Sequence, residues 1–117
     1  MGRKEKVITK KNVSEASLIR ISCGVNQPVI TEEDLEEASV DFLIVNKRVE
    51  PQVYQQARIY IITEGKGLIA VNKEHHEIKK GDAVAIRPEV LHDIIPDKLA
   101  GLVTWVITVP ARRIKDV

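Results

Sequence analysis

The 117-residue sequence predicts an all-β domain, an antiparallel sandwich or small barrel. Two observations carry this. Fifteen Val and fifteen Ile stand against seven Leu, and β-branched side chains, stiff at χ1, suit a pleated surface better than a helix. After residue 40, short apolar runs recur at a regular beat, each closed by Gly, Pro or Asn. The length fits one compact domain with a real core, and neither a linker nor a repeat divides it. The expected organisation is an N-terminal arm over 1–40, a barrel over 41–110 and a tail over 111–117.

In the arm, Val7-Ile8-Thr9 reads as a short edge strand and Leu18-Ile19-Arg20-Ile21 as another. Thr31-Glu32-Glu33-Asp34 resembles a helix start, with Thr31 as N-cap and acids in the first turn, and room for about two turns before Ser39. In the barrel, Val40–Val49 is the first strand, interrupted at Pro51. Tyr54–Thr63 follows and ends in a glycine-rich turn, Glu64-Gly65-Lys66-Gly67. Leu68–Val71 leads to Asn72-Lys73, a tight hairpin turn because Asn tolerates positive φ. Next come His75–Ile78, the turn Lys79-Lys80-Gly81-Asp82 and the strand Ala83–Ile86. Arg87-Pro88-Glu89 breaks the chain, Val90–Ile95 resumes it, and Leu102–Val109 is the last strand, stopped by Pro110.

Eighteen basic and seventeen acidic residues give a formal charge of +1, which supplies no global field for nucleic acid or a membrane surface. The basic start (Arg3, Lys4, Lys6, Lys10, Lys11 against Glu5) reads as a solvated terminus, without the aromatic partners of a nucleic-acid arm. Cys23, the single cysteine, has no internal disulfide partner and reads as a small buried hydrophobe. No apolar run approaches the roughly 18 residues of a membrane span. A cytoplasmic location is expected, with no membrane and no nucleic-acid partner.

The stretch from Pro51 to His92 resembles a cupin domain, in spacing more than in identity. Cupins carry two motifs, G-x5-H-x-H-x3,4-E-x6-G and G-x5-P-x-G-x2-H-x3-N. Glu64-Gly65-Lys66-Gly67 looks like the close of the first, and Gly81 to His92 like most of the second. Counting back from Gly65, the glutamate position falls on Arg58, the histidines on Tyr54 and Gln52, and the opening glycine on Asn46. Gly81 and His92 are kept, while Arg87, Glu89 and Pro96 stand where proline, glycine and asparagine are usual. The resemblance implies a double-stranded β-helix, jelly-roll-like, and a metal site of imidazoles and one carboxylate in the barrel mouth.

That donor set has largely been replaced. A guanidinium never deprotonates and repels a divalent cation, and an amide and a phenol are poor donors at neutral pH. No metal and no other cofactor is therefore expected. His75 and His76, adjacent on a strand, point to opposite faces and read as a solvated hairpin. Alternation instead puts Gln52, Tyr54, Gln56, Arg58, Tyr60 and Ile62 on one face, and the resemblance turns that face inward, opposite His92. The expected result is a ligand pocket of Gln52, Tyr54, Arg58, Tyr60 and His92 over an apolar floor, with Arg58 selecting a carboxylate, sugar or sugar phosphate. The competing reading pairs Arg58 internally with Glu64 or Asp41.

Small-molecule binding without chemistry is the leading functional expectation. One alternative is a metal-independent isomerase or epimerase, with His92 and either Tyr54 or Tyr60 as base and acid. Asp93, on the opposite face of a regular strand, would not orient His92. A second alternative is a metal-dependent cupin with unusual ligands. The resemblance further implies a homodimer formed through N-terminal strands and one barrel face, with the apolar pieces around Ile8 and Ile21 as contacts.

Overall fold

The structure, a computed structural model, describes residues 7–48 and 50–110. Eight strands form: β1 (Ile19–Ile21), β2 (Gly24–Ile30), β3 (Ser39–Val45), β4 (Ala57–Val71), β5 (Glu74–Lys79), β6 (Ala83–Ile86), β7 (His92–Pro96) and β8 (Leu102–Val109). Every pairing is antiparallel. One sheet runs β1-β2-β3-β8-β4, with β6 on the other side of the first half of β4. The second half of β4 pairs with β5 on one side and β7 on the other. The two sheets enclose one core but do not close on each other, since β5 and β6 each pair only with β4. The fold is all-β and jelly-roll-like, as the strand beat predicts.

Strand β4 serves both sheets because it bends. Its register against β8 shifts between Ile62 and Glu64, and Gly65 follows at φ +80. A Cβ on Gly65 would lie 2.1 Å from the Gly101 carbonyl oxygen, so the close approach admits only glycine. This corrects one expectation: Glu64-Gly65-Lys66-Gly67 is a bulge inside one 15-residue strand, not a turn between two. The Asn72-Lys73 hairpin forms as expected, both residues at positive φ, and Gly81 turns the chain at φ +95. Glu89 holds φ +64, keeping the backbone of the glycine it replaces in the second motif.

Three expectations in the arm change. Val7-Ile8-Thr9 forms no strand, and Val7 and Ile8 are exposed. Thr31–Asp34 is a single hydrogen-bonded turn rather than a helix. Thr31 Oγ1 accepts from the Glu33 N–H as a cap would, but the chain leaves for β3 after the Leu35 N–H bonds the Thr31 carbonyl. The one helical piece among the described residues is a 3-10 turn, Val13–Glu15, capped by Asn12. Strand β2 was not expected; Pro28 sits at its bulge, and Asn26-Gln27 hides the pattern. Arg3, Lys4, Glu5, Lys6 and the tail 111–117 lie outside the described residues. Of the other basic residues at the start, Lys11 pairs with Asp34 at 2.6 Å.

The core comprises Leu43, Val45, Tyr60, Ile62, Ile69, Ile78, Ile86, Leu102 and Val106, with Cys23 and Ile94 packed against it. Burying one such aliphatic side chain contributes about 1.5–3 kcal/mol.

Candidate functional site

The site is built where the loop between β3 and β4 folds back over one end of the lumen. Gln52 exchanges backbone hydrogen bonds with His92, and the Glu89 N–H donates to the Tyr54 carbonyl. Gln52 and Tyr54 are therefore loop residues, not strand residues, and the single face predicted over 52–62 holds on β4 only for Arg58, Tyr60 and Ile62. The fold-back still brings Gln52 and Tyr54 to the lumen. Gln56 stays exposed outside it.

Arg58, Tyr60 and His92 form a directed chain. The Arg58 Nη1 donates to Tyr60 Oη at 3.3 Å, and Tyr60 Oη lies 2.9 Å from His92 Nε2. His92 Nδ1 lies 3.0 Å from the Val90 carbonyl, which can only accept, so Nδ1 carries the proton and Nε2 accepts from the tyrosine. Burial disfavours the imidazolium and lowers the His92 pKa, with the Arg58 charge adding to the effect. Burial likewise pushes the Tyr60 phenol up to about 12, against the counteracting Arg58 charge. Both groups are thus neutral around pH 7.

Tyr54 roofs the group, its ring centroid 3.9 Å from the Arg58 guanidinium carbon and its hydroxyl donating to Gln52 Oε1 at 3.0 Å. Together with Cys23, Leu43, Val45, Glu50, Asp93 and Ile94, these five residues enclose a cavity of about 60 Å³. Sequence reasoning did not find the added residues. Leu43 and Val45 were visible as an apolar strand; Cys23 and Glu50 arrive from turn and loop and leave no periodic trace.

Neither acid proposed as an internal partner reaches Arg58. Asp41 bonds Asn26 at 3.4 Å, and Glu64 sits 3.9 Å from Lys80. The buried Arg58 Nε has no partner among the described residues. Asp93 is buried, not solvated on an outer face, because Arg48 from the loop covers it at 2.7 Å. It does not orient His92; the Val90 carbonyl does. His75 and His76 are exposed, as expected, with His76 3.2 Å from Glu74. The family's metal would meet a guanidinium in place of a carboxylate and an imidazole nitrogen already bonded to Tyr60, so these residues do not fit it. Among the described residues, no three His, Cys, Asp or Glu side chains gather as a metal site. None of the described helices is long and apolar enough to cross a membrane.

Two antiparallel sheets from one continuous bulged strand, with side chains converging at one end of the lumen, define a cupin. The comparisons agree and narrow the class: residues 45–117 match the AraC-like ligand binding domain family, and the chain belongs to it. It is 34% identical over 80 residues to an uncharacterized protein of Methanocaldococcus jannaschii, an alignment covering 68% of this chain and 62% of that protein. The chain thus spans less than two thirds of that relative's length. Among solved structures, an RmlC-like cupin from Shewanella frigidimarina superposes with a TM-score of 0.75 over 97% of this chain and all of the other, at 15% identity. A predicted oxalate decarboxylase from Thermotoga maritima superposes at 0.74, over 87% of this chain and 99% of that one, at 19% identity. At those identities the likeness shows the fold alone.

Proposed function

We propose that this chain binds a small carboxylate-bearing molecule in the lumen, without a metal and without turning it over. The observation that carries this is Arg58, a guanidinium facing a cavity with no carboxylate in ion-pair reach among the described residues and with its Nε unbonded. A carboxylate placed there gains charge-assisted, bidentate hydrogen bonds. A cavity of about 60 Å³ holds roughly four to six water-sized groups at 10–15 Å³ each, which admits formate or acetate. A whole sugar phosphate is several times larger, so only the acid end of such a ligand would enter.

The acid–base alternative is less well supported. His92 and Tyr60 have the chemistry, but they are bonded to each other. Their pKa values move away from neutrality in opposite directions, which leaves a weak base beside a weak acid. Tyr54 has its hydroxyl engaged by Gln52. A metal-dependent reading has the donor set against it, and elemental analysis of untagged protein should find well under one transition metal per chain. Binding of a small metabolite, with a free thiol at Cys23, is also what supports a cytoplasmic setting.

The test is calorimetric titration of formate and acetate into the parent and into Arg58→Met. Loss of bonds to a charged group of about 1.5–3 kcal/mol corresponds to a ten- to hundredfold weaker affinity in the variant. Its folding should be little changed, since Arg58 is only half-buried and its removal leaves no orphaned partner acid. No binding by the parent, with a steep loss of stability in Arg58→Met, would make Arg58 part of the scaffold instead.

A further inference from the structure

The wall of the lumen cavity carries charge of both signs. Arg58 supplies the cation, while Glu50 and Asp93 line the same space of about 60 Å³. Two buried side-chain polar atoms lack a hydrogen-bond partner among the described residues, Arg58 Nε and Asp93 Oδ1, and both belong to residues of this one wall. The first is a donor and the second an acceptor. Asp93 is 6% exposed and Arg48 bonds only its Oδ2, so half of a buried carboxylate is left without a bond. A buried carboxylate oxygen without a donor is rare and costly, and a bound donor removes the cost. Glu50 is exposed, on the open side of the cavity, and lies within ion-pair reach of no cation among the described residues.

We propose that the molecule bound here is a small amino acid, its carboxylate on Arg58 and its ammonium on Asp93 and Glu50. This rests on the carboxylate reading above and adds a second charge to the ligand. A bare carboxylate would answer Arg58 alone. It would leave Asp93 Oδ1 unbonded and bring an anion toward two acids, which repel it. An ammonium has three N–H donors and no acceptor, so one such group can bond more than one carboxylate. A hydroxyl brings one donor and no charge, and makes the weaker bond to an ionised acid. His92 and Tyr60 are bonded to each other, which leaves the charged side chains to select the ligand. Size agrees, since space for roughly four to six water-sized groups admits glycine. Leu43, Val45 and Ile94 offer its methylene an aliphatic wall.

Glycine, glycolate and propionate test this directly. They have equal numbers of non-hydrogen atoms and one carboxylate each, and differ only in an ammonium, a hydroxyl or a methyl group. Calorimetric titration into the parent should find glycine bound about ten- to hundredfold tighter than propionate, as expected for hydrogen bonds to charged groups, with glycolate between them. Asp93→Asn keeps the shape of the side chain and removes its charge; it should abolish most of the preference for glycine and leave propionate binding as it was. Glu50→Gln, at an exposed position, should weaken glycine by no more than about fivefold and leave propionate unchanged. Propionate or glycolate bound as tightly as glycine overturns the inference and leaves the carboxylate reading standing. A glycine preference undiminished by either substitution also overturns it. If none of the three acids binds, the carboxylate reading falls and this inference with it. Should Asp93→Asn fail to fold, the comparison of the three acids in the parent and in Glu50→Gln still decides.

Discussion

The two halves of β4 make opposite use of one strand. Before the bulge, Arg58 and Tyr60 point into the lumen and meet His92, leaving a polar group inside the barrel with an unbonded guanidinium nitrogen. After it, Ile69 packs at 1% exposure among Ile78 and other aliphatic side chains. The difference lies in what covers each end. The β3–β4 loop and His92 of β7 bring hydrogen-bonding partners to the group around Arg58 and Tyr60, whereas Ile78 of β5 meets Ile69 with an aliphatic side chain. Polar side chains therefore meet before Gly65, and aliphatic ones surround Ile69 beyond it.

Truncation on the packed side should have the largest effect. Ile69→Ala should cost about 2–5 kcal/mol, since the surrounding sheet cannot collapse onto the cavity. That corresponds to a fall in Tm on the order of 10–20 °C by scanning calorimetry. A loss under 1 kcal/mol would erase the contrast between the halves.

Alkaline pH probes the polar half. The folded Tyr60 phenol titrates near 12 against an ordinary value of 10.0, so the folded protein holds the proton more tightly than the unfolded chain. Its contribution is complete below pH 10 and is lost as pH rises toward 12, about 3 kcal/mol in all. Denaturant titrations across that range should show the decline in the parent, and a much flatter curve in Tyr60→Phe.

Acid gives a smaller effect of the opposite sense. The folded His92 pKa lies below its ordinary value of 6.5, so the unfolded chain takes up the proton first. Stability should be complete above pH 6.5 and decline as pH falls below it, by no more than about 1.4 kcal/mol per pH unit. The slope should shrink in His92→Gln, and an unchanged slope would assign it to another group.

Much of the fold was legible because local residues dictate it. Asn72-Lys73 can close a two-residue hairpin, Pro110 ends β8, and Ala83–Ile86 is bounded by a glycine turn and a proline. Gly65 misled because a glycine at positive φ serves a turn and a bulge equally; the choice is made by the Gly101 carbonyl, far away in sequence. The site was legible where it lies on strands, in Arg58, Tyr60 and His92. Glu50 and Arg48 were not, since their positions follow from the path of the loop. The runs of β3 and β8 are near-continuous and apolar, with Ser39 and Asp41 the polar exceptions in one and Thr104 and Thr108 in the other.

The pairing of β3 with β8 has a consequence for how quickly the protein reaches its native state. Val71 and Glu74 meet across a two-residue turn, and a hairpin of that kind closes in about 1–10 µs. Ser39 meets Thr108 only after most of the barrel has been threaded between them, and such distant pairings slow folding toward milliseconds to seconds. During that interval β3 and β4 each present an unpaired edge flanked by two apolar faces, a template for association with another unfinished chain. Refolding yield should therefore fall steeply with protein concentration, and the arrival of β8 is the step that ends the exposure.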